Sequence, residues 1–240
     1  PSSFEPRIGN EVFVLDTEEG IFLPRSDQTV YRTLLEIQGR KRIRNDITGG
    51  YELRAGQSYL LPLEERVLLY GSESIGSSPK STLGRLFANI RLVADYSPCF
   101  DEVTTPPKSG VPVQEWLVVQ PLNFNFIVRP GDRLNQLRFF TGPDARLTPR
   151  ELEAEIRERP FIYVTSDGEL IPAEHKITQE GLKVHLGLSG EHTEGIVGLR
   201  ARCNPAPIDL ALEAIYDAEE YFEPLTNTPN ILLHPGAYYL

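Results

Sequence analysis

Apolar and polar residues alternate over many short stretches of this 240-residue chain. This spacing is typical of β-strands, whose successive side chains point to opposite faces of a sheet. Gly, Pro, Asn and Asp separate the stretches, as turns between strands require. The alternation predicts strands over residues 10–16, 57–63, 66–71, 86–95, 115–120, 123–129 and 133–140. We therefore expect a mainly β protein, built as an antiparallel sandwich or a distorted barrel.

Helix and turn signals are fewer than strand signals. Residues 148–159 begin with a capping box, in which Thr148 and Glu151 satisfy each other's backbone N–H groups. A weaker helical pattern covers residues 26–38, so one or two short helices are expected. Asp167-Gly168 predicts the tip of a β-hairpin over residues 161–172.

Composition narrows the function classes. A formal net charge of −10 argues against a general nucleic-acid or membrane surface. The sequence has no apolar stretch long enough for a membrane span and no secretion signal, which favours a cytoplasmic location. Its two cysteines, Cys99 and Cys203, suggest neither a disulfide framework nor a zinc knuckle. The chain begins at Pro1 and contains no Met, which suggests a fragment.

A short internal repeat predicts the start of a second structural copy. Residues 51–61 and 230–240 share a leucine, a glycine and a Tyr-Leu pair three residues beyond that glycine. An acidic residue precedes each match in a similar setting, Glu5 in the first copy and Asp209 in the second. We expect one β domain over residues 1–190 and the beginning of another over residues 191–240.

One polar segment concentrates groups that bind anions. Lys80 and Arg85 supply positive charge, and Ser81 and Thr82 supply hydroxyl donors. The segment has two interpretations from its residues alone. It is either a solvated loop that keeps a sheet edge soluble, or a cradle for phosphate oxygens.

Several segments, in this order, resemble the dCTP deaminase and dUTPase superfamily, most closely its longer, tandem-repeat bacterial form. The segments that carry the resemblance are "SSFEPRIG", "YELRAGQSYLLPLEERVLL", "PKSTLGRL", "RLVADY", "FIVRPGDRLNQLRFF", "IDLALEAIYDAEEYFEPL" and "ILLHPGAYYL". The resemblance implies a dUTPase-like β fold, hydrolytic deamination of dCTP to dUTP, and a trimer-based homo-oligomer.

The resemblance also implies how the substrate is bound. It assigns Lys80, Ser81, Thr82 and Arg85 to the nucleotide triphosphate, with Mg²⁺ bound only to that triphosphate. Lys80 departs from the arginine usual in the family, so a bidentate phosphate contact becomes a point charge. No zinc is expected, because the H-x-E…P-C-x-x-C signature of zinc deaminases is absent from the sequence.

The position of the general base is a gap in the resemblance. The family's catalytic glutamate is expected near residues 117–119, where the sequence has only apolar residues. Glu115 is the nearest acid and would need a register slip or a bulge to serve. Otherwise Glu115 is an ordinary strand-end residue, and the base comes from the second copy or a neighbouring subunit.

Two further alternatives stay open. Asp95 ends an apolar strand, so it either orients water, as an aspartate does in dUTPases, or serves as a turn residue. The chain is either a deaminase or a non-catalytic repeat that contributes phosphate contacts and an interface to a catalytic copy. A dUTPase-type pyrophosphatase is the third possibility.

Overall fold

The computed structural model describes residues 3–15, 23–38, 43–104, 110–142, 147–160, 163–166, 169–172, 177–178, 181–182, 188–191, 193–212, 214–226 and 230–240. The chain divides into two compact units. The first comprises Pro1–Gly142, Gly198–Leu225 and Asn230–Leu240, and the second comprises Pro143–Val197 and Thr226–Pro229. The domain boundary predicted at residue 190 follows the sequence repeat and stays a prediction.

Strands dominate the described residues. In chain order the elements are β1 (Glu11–Leu15), α1 (Val30–Gln38), β2 (Ile43–Asp46), β3 (Tyr51–Leu53), β4 (Ser58–Val67), β5 (Glu73–Pro79), α2 (Ser81–Arg85), β6 (Ala88–Ala94), β7 (Glu102–Thr104), β8 (Val113–Pro121), β9 (Phe126–Val128), β10 (Asn135–Thr141), α3 (Pro149–Glu158), β11 (Tyr163–Ser166), β12 (Glu169–Pro172), β13 (Ile177–Thr178), β14 (Gly181–Leu182), β15 (Ile196–Ala201), β16 (Ile208–Asp209), α4 (Ala218–Tyr221) and β17 (Phe222–Thr226). The mainly β prediction is confirmed, although the described residues form four short helices where one or two were expected. None of the described helices is long and apolar enough to cross a membrane.

The first unit is a sandwich of sheets around one large core. Strands β2-β1-β4-β8-β6 form an antiparallel sheet, and β10-β5-β7 and β16-β9-β3 form two smaller sheets. Leu61 and Leu117 of the large sheet share a buried cluster with Ile75 of β5 and Phe126 of β9. Inward residues at every second position of the strands fill this core, as the alternation predicts.

Helix α1 covers the other face of the large sheet. Val30 and Leu34 lie one turn apart and pack with Phe13, Leu60 and Trp116. This spacing gives the helix one apolar stripe, which explains why a weak helical pattern folds here. Trp116 is thereby a core aromatic residue.

The strand predicted over residues 57–63 and the first two residues of the one predicted over 66–71 belong to a single strand, β4, that contains a bulge, and residues 68–71 are not in a strand. Its pairing with β8 shifts between Pro62 and Arg66, which lie opposite Trp116 and Gln114. Residues 63–65 of β4 therefore face the single residue Glu115. The bulge interrupts the alternation, and this is why one strand reads as two.

The polar segment is not a loop between two strands. Strand β5 extends to Pro79, and the segment continues as the single turn of helix α2. Strand β5 consists mostly of small polar residues and contains Gly76, so its sequence shows no alternation of apolar and polar residues. A Cβ atom at Gly76 would lie 2.9 Å from Cε2 of Phe140, so the neighbouring strand β10 favours glycine there.

The repeated segments form the same turn. Gly56 and Gly236 both have positive φ angles, 81° and 77°. The tyrosine three residues beyond each glycine accepts a backbone hydrogen bond from the residue five positions before it. These bonds are 2.8 Å from Arg54 to Tyr59 and 3.0 Å from His234 to Tyr239. The shared geometry supports the start of a second copy, although residues 230–240 contribute a bridge, Arg200 to Tyr239, and no regular strand.

The second unit confirms two local predictions. Thr148 caps α3, and its backbone N–H donates a hydrogen bond to the Glu151 carboxylate at 2.7 Å. Strands β11 and β12 pair antiparallel with Ser166 opposite Glu169. The predicted tip of this hairpin, residues 167–168, lies outside the described residues.

A charged pair holds strand β16 beside β9. Strand β16 runs parallel to β9, and Arg129 lies just beyond the end of β9. The two terminal nitrogens of Arg129 bind the two carboxylate oxygens of Asp209, with 2.7 Å between Nη2 and Oδ2. This two-point contact holds a strand of only two residues in place.

Replacing Arg129 by Lys should loosen this attachment. An ammonium group cannot reproduce the two parallel hydrogen bonds, so the free energy of unfolding should fall by about 1–2 kcal/mol. Urea denaturation measures the change. Arg44→Lys is the control, because Arg44 binds Glu11 through one nitrogen at the surface. Equal losses in the two variants would contradict the two-point attachment.

Candidate functional site

Helix α2 displays the residues that are predicted to bind an anion on an anchored turn. Leu83 is buried in the large core, whereas Ser81, Thr82 and Arg85 are exposed. The backbone N–H of Lys80 donates to the carbonyl of Leu134, 3.1 Å away. The segment is therefore fixed at its start and by one apolar side chain, and its polar groups face outward.

Lys80 is bound to a carboxylate from the start of the chain. Its Nζ lies 3.0 Å from Oε2 of Glu5, and the two side chains are 32% and 31% exposed. Phe4 exchanges two backbone hydrogen bonds with Leu137 of β10, which carries Glu5 alongside α2. The pair joins residues 75 positions apart, so the sequence gives no local sign of it.

A cleft of about 600 Å³ opens beside this pair. Lys80 and Thr82 line it, but Ser81, Arg85, Asp95 and Glu115 do not. Its lining residues come from α2, from the turn after β9 and from β16 with the residues that follow it: Lys80, Thr82, Leu83, Leu86, Gly131, Asp132, Arg133, Leu134, Ile208, Asp209, Leu210, Leu212, Ala214 and Tyr216. The structure thus brings together half of the predicted triphosphate residues and adds a wall from residues 208–216.

Sequence reasoning missed four polar residues of the cleft as site residues. Arg133 and Asp132 lie in "FIVRPGDRLNQLRFF", and Asp209 and Tyr216 lie in "IDLALEAIYDAEEYFEPL". These segments carried the family resemblance, and Asp209 also the repeat, but none of the four residues was assigned to a site. Burial raises the pKa of Asp132, whereas the hydrogen bonds from Arg129 lower the pKa of Asp209.

Glu115 is not a strand-end residue. It lies inside β8, opposite Ala94 of β6, and is completely buried. Neither carboxyl oxygen has a hydrogen-bond partner among the described residues. Burial, with a smaller contribution from the charge of Glu65, raises the pKa of Glu115 to about 8. A buried carboxyl without partners is mostly protonated at neutral pH, which gives it a proton to donate.

Asp95 supports helix α1. Its Oδ1 accepts a hydrogen bond from the backbone N–H of Val30, the first residue of the helix, at 2.8 Å. Burial raises the pKa of Asp95, and backbone hydrogen bonds with Val30 and Gln114 act in the opposite direction. This contact gives Asp95 the structural role, and a role in orienting water stays a prediction.

Glu115 should make the stability of the fold depend on pH. Its pKa rises from 4.5 to about 8 on folding, so between these values the folded state holds a proton that the unfolded state has released. The free energy of unfolding should fall as pH rises through this window, by about 1.4 kcal/mol per unit for one proton. In the Glu115→Gln variant this dependence of the unfolding free energy on pH should disappear, and at pH 8 the variant should be more stable than wild type.

Urea denaturation between pH 5 and 8.5 tests this prediction. Glu102→Gln, a change at an exposed position of β7, should leave the slope in place. Parallel pH profiles for wild type and Glu115→Gln would show that Glu115 is not held protonated by the fold.

Two family models match successive parts of the chain. The model of the 2'-deoxycytidine 5'-triphosphate deaminase N-terminal domain matches residues 1–143, and that of the C-terminal domain matches residues 157–240. Among solved structures, the 2'-deoxycytidine 5'-triphosphate deaminase from Agrobacterium tumefaciens is similar, with a TM-score of 0.80 and 25% identity. The match covers all of this chain and 64% of that protein's length. No curated protein sequence matches significantly.

Proposed function

Since the chain belongs to the 2'-deoxycytidine 5'-triphosphate deaminase family, as its sequence suggested, we propose that it serves the hydrolytic deamination of dCTP to dUTP. Water attacks C4 of the cytosine ring, and ammonia leaves. The similarity to the Agrobacterium enzyme along the whole of this chain supports the proposal. A trimer-based homo-oligomer is part of it, and the exposed Phe139 and Phe140 of β10 offer apolar surface for such contacts.

The triphosphate is assigned to the segment from Lys80 to Arg85. Thr82 and Lys80 line the cleft, and the exposed Arg85 makes no ion pair with any residue that the structure describes. An unpaired guanidinium group can form two parallel hydrogen bonds with a phosphate. Mg²⁺ is treated as part of the substrate, bound to the triphosphate, and no zinc is assigned to the reaction.

Glu115 is the proposed general acid and base. The reaction needs a group that accepts a proton from the attacking water and then gives a proton to the departing ammonia. A carboxyl group with a pKa of about 8 populates both of its forms near neutrality. Both steps can therefore be served by one side chain, without a metal ion.

The buried carboxyl group of Glu115, which has no hydrogen-bond partner among the described residues, is the observation that carries this proposal. Burying a polar group without a hydrogen-bond partner destabilises a fold by about 1–3 kcal/mol. Leu117 and Val119, on the same face of β8, show that an apolar residue would fit the strand. An acid in this place therefore has a use outside folding, and proton transfer is the use that its raised pKa supports.

The second candidate is a binding repeat whose base lies elsewhere. Its support is that Glu115 is fully buried and does not line the cleft. In this version the chain binds the nucleotide through Lys80 to Arg85, and the second copy or a neighbouring subunit provides the carboxylate.

Glu115→Gln separates the two candidates. The amide keeps the shape of the side chain but cannot accept the proton, so deamination should fall by about 10²–10⁴-fold, while dCTP affinity stays nearly unchanged. Ammonia release and calorimetry measure the two quantities, with Glu102→Gln as the surface control. If the base lies elsewhere, the variant and wild type should release ammonia equally or not at all.

Arg85→Ala tests the triphosphate assignment. Losing a charged hydrogen-bond donor should weaken dCTP binding by about 1.5–3 kcal/mol, measured by calorimetry at low salt. Arg32→Ala removes the same charge from helix α1, on the far face of the large sheet, and should bind dCTP as wild type does. Equal affinity of Arg85→Ala and wild type would contradict the assignment.

A further inference from the structure

We propose that Glu5 is an internal competitor of phosphate for Lys80, and that it lowers the affinity of the chain for a triphosphate. The inference rests on the proposed function, because it concerns the same binding segment. Lys80 lines the cleft, and its ammonium group already binds the Glu5 carboxylate at 3.0 Å. A carboxylate and a phosphate present the same kind of oxygen to a cation, so they compete for its donors.

The backbone holds Glu5 in this place. Phe4 forms a backbone pair with Leu137, and the N–H of Ile8 donates to the carbonyl of Asp132 at 2.9 Å. Residue 5 is thus fixed between two attachment points. A phosphate that approaches Lys80 meets the negative charge of Glu5 unless the side chain rotates away, and its one-third exposure leaves room for that rotation.

The corresponding acid of the repeat shows what a permanent ion pair looks like in this protein. The Asp209 side chain is 12% exposed, binds Arg129 through both oxygens and also accepts the N–H of Ala211. Glu5 has a single contact with Lys80 and is far more exposed. The two acids occupy similar positions in the repeat, but only the Asp209 pair is built as a lasting attachment.

Glu5→Gln isolates the charge from the geometry. The amide oxygen can still accept a hydrogen bond from Lys80, so the lysine keeps a partner while the repulsion is removed. For a phosphate bound to Lys80 at roughly 6 Å from the Glu5 carboxylate, removing the Glu5 charge should tighten phosphate binding about threefold to tenfold, by Coulomb's law in a high effective dielectric.

Calorimetric titration with inorganic tripolyphosphate, without nucleotide or metal, tests the inference at low salt. The variants are Glu5→Gln, Lys80→Ala and the double variant, with Glu11→Gln as a control that removes a charge from the Arg44 pair. Thermal unfolding confirms that each variant is folded, and Glu5→Ala replaces Glu5→Gln if the latter is not.

The inference is supported if Glu5→Gln binds tripolyphosphate more tightly than wild type, provided that the gain disappears in the Lys80→Ala background and that Glu11→Gln shows no such gain. Unchanged or weaker binding by Glu5→Gln, with weaker binding by Lys80→Ala, would overturn it and leave the proposed triphosphate segment standing. If Lys80→Ala binds tripolyphosphate as wild type does, the inference and the assignment of Lys80 to the triphosphate both fail.

Discussion

Strand β8 is buried or half-buried along its whole length, and this constraint determines the direction of every side chain on it. Leu117 and Val119 point into the large core, whereas Trp116 points toward helix α1. Its pairing with β4 on one side and β6 on the other fixes the register. A slip of one residue would exchange the two faces and place Trp116 where the large core has no space for it. Glu115 is therefore held inside the sandwich by the packing of its neighbours.

The bulge in β4 is the feature of the sheet that accommodates this carboxyl group. Three residues of β4, including Glu65, face Glu115 where a regular ladder would place one. Arg7 holds Glu65 through a side-chain pair at 2.9 Å, and the pKa of Glu65 is lowered. A fixed negative charge near Glu115 adds to the effect of burial and disfavours its ionisation. The local arrangement thus stabilises the proton-carrying form of the acid.

Features that depend on neighbouring residues could be predicted from the sequence, and features that depend on distant contacts could not. Alternation located β1, β4, β6, β8, β9 and β10, and a capping box located α3. The two segments of the repeat form turns that share a tyrosine hydrogen bond, although the repeat by itself predicted only a second copy. The bulge was missed because it interrupts the alternation within β4 and makes one strand read as two. The charged pair of Glu5 and Lys80 and the wall of the cleft that contains Asp209 join segments that are far apart in the chain, and no local pattern encodes such meetings.

The two acids of the repeat show how the choice of cation decides what an ion pair does. Arg129 offers a planar fork that matches both oxygens of Asp209, and β16 depends on this contact for its place beside β9. Lys80 offers a compact charge with three donors, and Glu5 engages it at one oxygen. An arginine at position 80 could hold Glu5 through two bonds and would release it less readily to an incoming phosphate. A lysine where the resemblance leads us to expect an arginine therefore suits a pair that can open, as the proposed competition with phosphate requires.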